Sequence, residues 1–275
     1  MDLTGAASRE SLDLATRGLD DFIDGADPDE LAPMADELFA TVTLLDQQPG
    51  LRRALADPAA DPDRRATLLE RLVGDQVSDS TLRLLRPLVR SRWSRPGDLA
   101  DAAELLGRRA ALGVAERTGA LDDVEDELFR FGRILDSEPR LRHALEDRTA
   151  DPERRIALLD RLIGDRVGPT TRRLLEQAVR SPRGRTLDRS TGELVELAAA
   201  RRQRYVATVT AAAPLTEQQE RRLADILARI YRRPVSVQVS VDPEVLGGLV
   251  VRVNDEVIDG SVLTRLTQVR QRLAG

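Results

Sequence analysis

LRHALEDRTADPERRIALLDRLIGDRVGPTTRRLLEQAVRS, residues Leu141–Ser181, sets without a gap on LRRALADPAADPDRRATLLERLVGDQVSDSTLRLLRPLVRS, residues Leu51–Ser91. More than half of the positions agree, at an offset of about 90 residues, so the chain carries an internal duplication. The register continues upstream: Asp36-Glu37-Leu38-Phe39 matches Asp126-Glu127-Leu128-Phe129, and Leu45-Asp46 matches Leu135-Asp136. Each copy reads as several short helices. Leu38, Val42 and Leu45 recur at helical spacing, a short segment follows around Leu51 to Leu55, and Asp61-Pro62 opens a helix carrying Leu68, Leu69 and Leu72. The Asp-Pro pair supplies an N-cap and a first-turn proline, and Gly74 stands where a glycine would end that helix. Asp151-Pro152 and Gly164 repeat both signals. The next helix, about Ser80 to Ser91, shows Leu84, Leu85 and Leu88, and its counterpart shows Leu174, Leu175 and Val179.

A helix from about Leu99 to Arg117 lies between the copies, placed to close the first and open the second, and another from about Gly192 to Arg204 ends the repeat. Two copies are fewer than a solenoid needs, so the expectation is two adjoining helical bundles, 1–98 and 99–204, with helix 99–117 as a candidate shared element.

After Arg204 the period changes. YVATVTAA reads as a strand, Thr216 and Gln219 stand at capping-box spacing, and the helix behind them carries Leu223, Ile226, Leu227 and Ile230 as an apolar face. VSVQVSV, Val235 to Val241, alternates strictly and predicts a half-buried strand. Gly247-Gly248 lead into Leu249–Val253, Asn254-Asp255 reads as a tight turn to Val257-Ile258, and Asp259 or Ser261 caps a final helix with Val262, Leu266, Val269 and Leu273 on one face. Residues 205–275 therefore form a small β-α-β-β-α domain, and the fold class is mainly α: two tandem duplicated bundles followed by a small α/β domain.

Composition excludes several chemistries. Among 275 residues the 42 basic side chains are all Arg, so neither a Walker-type phosphate loop nor a Schiff-base lysine can be present. There is no Cys, which removes thiolate zinc sites, disulfides and a Cys nucleophile. The single His143 sits in a charged helical segment, matched by Arg53, and reads as an exposed residue without partners for a triad or metal set. No catalytic residue, cofactor site or metal site is expected. The net charge of −5, with acids and arginines interleaved, argues against broad binding to nucleic acid. Arg83 to Arg95 is the local exception: an acid-free arginine run with Trp93, read first as a solvated helix end and second as a contact surface for an acidic partner. No signal peptide or membrane span is legible, so the chain is expected to be soluble and to stay in the cytoplasm. An anion at Asp259-Gly260-Ser261 is physically feasible at a helix start, but Asp259 would oppose it, and the glycines of Gly247-Gly248 precede a strand. The structural reading is preferred.

The blocks V-T-A-A-A-P-L-T-E-Q-Q, V-D-P-E-V-L-G-G-L-V-V-R-V and N-D-E-V-I-D-G-S-V, in this order from Val206 onward, resemble the C-terminal part of the δ subunit family of bacterial F-type ATP synthases, related to the oligomycin-sensitivity-conferring protein. The helices from about Leu99 to Arg204 look like that family's six-helix N-terminal domain. The additional helical copy resembles the longer actinobacterial form. The resemblance marks Gly247, Gly248, Arg252, Asp255, Asp259, Gly260 and Ser261 as signature positions with structural roles.

It further implies a non-catalytic stator subunit, peripheral on the cytoplasmic face of the plasma membrane. Such a subunit holds N-terminal segments of the head's α subunits on a helical domain and meets the b subunits of the peripheral stalk through its C-terminal domain. By family analogy, the head segments would lie in a groove of the second copy near Leu105, Leu106, Leu174, Leu175 and Ala178, although ordinary core packing is the commoner explanation of such residues. A helical adaptor unrelated to the synthase, or a protein binding nucleotide or nucleic acid through the arginine run or the Asp259-Gly260-Ser261 turn, remain the alternative readings.

Overall fold

The computed structural model describes residues 5–203, 206–231, 235–242, 248–253 and 256–259. The helices α1 (Ala6–Gly25), α2 (Pro28–Gln47), α3 (Pro49–Ala56), α4 (Pro62–Val73) and α5 (Asp79–Arg90) lead to α6 (Pro96–Arg117). Then come α7 (Leu121–Ser137), α8 (Pro139–Glu146), α9 (Pro152–Ile163), α10 (Pro169–Arg180) and α11 (Leu187–Gln203). Helix starts recur at the duplication's offset, Pro49 with Pro139, Pro62 with Pro152 and Asp79 with Pro169. The same offset sets α1 against α6 and α6 against α11. α1 is a helix that the sequence reading had not singled out.

Local chemistry explains these boundaries. Proline occupies the first position of α2, α3, α4, α6, α8, α9 and α10, where its missing N–H costs nothing. The Asp61 carboxylate accepts from the amides of Asp63 (2.9 Å) and Arg64 (3.1 Å), and Asp151 accepts from Glu153 (2.9 Å), as the Asp-Pro signals predict. The two terminating glycines differ. Gly164 takes a positive φ of 50°, whereas Gly74 stays right-handed at φ −56°, where an added Cβ would run into the Glu70 carbonyl.

The chain divides into two compact units, the first ending at Ala199 and the second beginning at Ala200. One continuous hydrophobic core runs through the helical unit from Leu19 to Ala198. α6 is its axis. This helix packs against α1, α2, α3 and α5 of the first copy and against α7 and α10 of the second, and residues on every side of it are buried. Its alanines and glycines make that possible. An added Cβ on Gly107 would lie 2.7 Å from the ring of Phe39 in α2, and one on Gly113 would lie 3.0 Å from Ile23 in α1.

In the second unit, β1 (Val206–Ala211), α12 (Glu217–Tyr231), β2 (Ser236–Val241), β3 (Leu249–Val253) and β4 (Glu256–Asp259) build a sheet in the order β2-β1-β3-β4. β1 and β2 run parallel, as a helical crossover requires, while β3 is antiparallel to both β1 and β4. Among the described residues the sheet has four strands, one more than the β-α-β-β-α order counts. Its core holds Ala207, Val209, Leu227, Val235, Val251 and Val253. Alternation in β2 holds through Ser240, with Val237 and Val239 against this core and Gln238 and Ser240 exposed, while Val241 at the end of the strand is exposed. The expected capping box forms: Thr216 N–H donates to Gln219 Oε1 (2.8 Å) and Gln219 N–H to Thr216 Oγ1 (3.3 Å). The apolar face of α12 is narrower than its sequence suggests. Leu223 and Leu227 face the sheet, but Ile226 (37% exposed) and Ile230 (58%) do not, because a short helix over a small sheet covers only one stripe.

Candidate docking surfaces

Two repeated ties set the geometry of each copy. Glu37 of α2 accepts from the backbone N–H (3.0 Å) and Oγ (2.8 Å) of Ser78 at the start of α5. Its counterpart Glu127 accepts from Gly168 N–H (3.0 Å) and Thr171 Oγ1 (2.5 Å) at the start of α10. A carboxylate there meets the free amides and the positive end of the helix dipole. At the other end of the same helices stand two buried arginines. Arg65 donates to the carbonyls of Arg90 (3.0 Å), Ser91 (2.9 Å) and Leu55 (3.4 Å), and Arg155 to those of Val179 (2.6 Å) and Leu145 (3.4 Å). Sequence reasoning passed over both, although an Arg-Arg pair that follows Asp-Pro in each copy was the available signal.

A third arrangement joins the copies. Glu104 of α6 is wholly buried and carries ion pairs from Arg108 (2.7 Å), Arg183 (3.5 Å) and Arg185. Arg183 also reaches Asp101 (2.9 Å) and Asp46 of α2, and Ser181 Oγ donates to the same Asp46 (2.7 Å). Burial pushes the Arg108 guanidinium below its ordinary range. At Arg183 burial acts the same way, but the carboxylates of Asp101, Asp46 and Glu104 outweigh it and hold the guanidinium above that range. Removing one member would strand buried charge, so the network holds the α10–α11 connection against α2 and α6.

The five residues assigned to a groove in the second copy are buried, and Leu106, Leu174, Leu175 and Ala178 share the hydrophobic core. Leu105 is 9% exposed, and Leu106, Leu174, Leu175 and Ala178 less than that. Beside them lies α2 of the first copy, which runs along α6 next to α10: Phe39 over Gly107, Asp36 paired with Arg173 (2.6 Å), and Asp46 tied to Ser181 and Arg183. A cleft of about 430 Å³ remains between α2 and α10, lined by Asp36, Phe39, Thr43, Arg173, Glu176 and Gln177 among others. Burial, with the charge of Asp160, raises the Glu176 carboxyl above its ordinary value despite nearby arginines.

Three arginines of the run are paired with acids, two of the acids on α4 and the third, three residues on, in α6. Arg86 pairs with Glu70 (2.6 Å), Arg90 with Asp63 (2.6 Å) and Arg95 with Asp98 (3.1 Å), while Trp93 is buried and donates to the Leu88 carbonyl (2.9 Å). Arg83 donates to Ser80 Oγ and stands exposed. His143 is exposed in α8. Among the described residues no group of His, Asp and Glu is arranged to hold a metal ion, and no helix is long and apolar enough to cross a membrane.

Of the signature positions, Gly248 adopts a positive φ of 85° just before β3, a conformation that calls for glycine. Arg252 lies exposed on β3 opposite Thr208, and Asp259 closes β4 opposite Val250. Gly247, Asp255, Gly260, Ser261 and the expected final helix lie outside the described residues.

Duplicated helices around one shared axis, followed by a small mixed sheet, define a mainly helical protein with a small α/β unit. The family profile described as "ATP synthase delta (OSCP) subunit" matches residues 108–273. The ATP synthase subunit delta of Acidothermus cellulolyticus is 47% identical over 98% of both chains, and that of Streptomyces avermitilis 48% identical over 98% of both. The ATP synthase subunit b-delta of a Mycobacterium species (strain KMS) is 45% identical over 98% of this chain and 60% of its own length. The chain belongs to the ATP synthase delta (OSCP) subunit family.

Proposed function

We propose that this chain is a non-catalytic stator subunit of an F-type ATP synthase. It links the peripheral stalk to the catalytic head so that rotor torque drives ATP synthesis instead of turning the head. The observation that carries this reading is the end-to-end identity with subunits delta, 47% across 98% of the chain. Its helical unit suits the task physically. One continuous core and a buried charge network between the copies resist shear, because packed interiors do not deform continuously.

In this reading the helical unit holds N-terminal segments of the head's α subunits, and the C-terminal unit meets the b subunits of the stalk. Exposed Ile226 and Ile230 on α12 offer that second contact an apolar strip. The chain sits peripherally at the cytoplasmic face of the plasma membrane, carried there by the complex. Isolating the tagged chain from native membranes tests the assignment. Recovery of ATP synthase α, β and b subunits is expected, and recovery of the chain alone would overturn it.

A further inference from the structure

The duplication gives α2 of the first copy a counterpart in α7 of the second, and the two helices meet different surroundings. α2 turns Asp36, Phe39, Ala40, Thr43 and Leu44 to the cleft it shares with α10, where Asp36 pairs with Arg173. The matched face of α7 has no following copy to meet, because the repeat closes with α11. Phe129, the match of Phe39, is 58% exposed, and Ile134, the match of Leu44, is 38% exposed. By helical spacing these two flank the outer face of α7, on the side away from its buried Val124, Leu128, Phe131 and Leu135. Between them the chain departs from its own repeat. Arg130 and Arg133 replace Ala40 and Thr43 of the covered face. Arg130 pairs with Asp126 one turn earlier (3.1 Å), whereas Arg133 is exposed and makes no ion pair among the described residues. Asp136, the match of Asp46, is exposed at the rim of the same face.

These arginines decide what can cover the face. A second copy of this chain, continuing the series head to tail, would bring α5 to α7 as α10 comes to α2. Arg86 would then stand in the place of Glu176, with Arg83 and Arg90 in those of Arg173 and Arg180, and arginines would face arginines. A chain that keeps a carboxylate in the place of Glu176 fits instead. We infer that the outer face of α7 is a docking surface for an amphipathic helix of a different chain, which sets a carboxylate against Arg133 between apolar residues that cover Phe129 and Ile134. The surface is the same whichever complex carries the chain, so it does not rest on the stator reading.

A photoreactive, benzophenone-bearing phenylalanine analogue replaces Phe129 in the full chain and, as the reference, His143, which is exposed on α8. Cells producing either form are irradiated, and the cross-linked segments are identified by mass spectrometry. Position 129 is expected to catch one segment of another chain, amphipathic and with Asp or Glu at helical spacing from its apolar residues. Its yield should exceed that at position 143 by at least about tenfold, since a docked helix is held at high effective concentration. Arg133→Glu should cut the yield at 129 several-fold and Arg133→Lys should keep most of it, because the contact asks for positive charge. Both variants, made at an exposed position, are checked for unchanged helical content and melting temperature. Equal yields at the two positions, capture of a second copy of this chain, a captured segment without acids, or a yield indifferent to Arg133→Glu would each overturn the inference. Capture of an acid-bearing helix from a chain outside the synthase would leave the α7 surface standing and count against the stator reading.

Discussion

Phe39 lies over Gly107, its ring carbon 2.7 Å from where a Cβ on that glycine would be. The contact joins α2 to the shared helix and leaves no room for a side chain. Gly107→Ala is therefore expected to destabilise the helical unit by about 1–3 kcal/mol, despite the better helix propensity of alanine. Gly132→Ala is the control. Its added methyl would meet Thr191 at an ordinary 3.7 Å, so thermal unfolding should show no loss and a gain of up to about 1 kcal/mol.

Glu104 gathers Arg108, Arg183 and Arg185 in a buried setting. Glu104→Gln leaves those guanidinium groups without their main counter-charge. A loss of about 3–5 kcal/mol follows, read from the denaturant midpoint at neutral pH. A loss below about 1 kcal/mol would mean that the network is solvated and does not brace the copies.

Arg65 and Arg155 hold the last carbonyls of α5 and α10 in the same way. Arg65→Met and Arg155→Met should each cost about 1–3 kcal/mol, because buried acceptors lose their donors while the volume stays similar. Equal costs in the two copies would confirm that the repeat preserves a tie as well as a pattern.

Glu176 has a folded-state pKa raised above its ordinary 4.5, chiefly by burial. The folded chain thus binds the proton more tightly than the unfolded chain. Its contribution to stability is fully present below the ordinary value and is lost as pH rises through the raised one. Glu176→Gln should raise the melting temperature at neutral pH, and the gain should vanish on acidification below the ordinary glutamate range. A gain independent of pH would show that burial of the charge is not its cause.

In the C-terminal unit, Leu227→Ala should cost about 2–5 kcal/mol, since Leu227 is buried against the sheet. Ile226→Ser and Ile230→Ser, on the exposed strip, should stay within about 0.5 kcal/mol. If these two variants also lose the b subunits on membrane isolation, the strip is the stalk contact.

The duplication, the Asp-Pro helix starts, the capping box at Thr216 and the alternation of β2 were all legible in the sequence. Each is a local signal whose cause lies within a few residues. The joins between copies were not. Glu104 and Arg108 show in the sequence only as two among several charges along α6, and their partners Arg183, Arg185 and Glu193 are distant in the chain. The closing glycines were half legible: both end a helix, yet only Gly164 turns left-handed.

Phe39 and Phe129 show the boundary between the two kinds of information. They occupy the same position of the repeat, and sequence alone determined that both stand on an amphipathic helix of a duplicated bundle. Tertiary structure gave them opposite fates, Phe39 buried at 6% exposure and Phe129 open at 58%. Phe39 finds Gly107 opposite, whereas the position matched to Gly107 in α11 is Leu197, which offers no gap for a ring. Periodicity decides that a helix has an apolar face, but a side chain leaves water only where a neighbour with room for it is brought alongside.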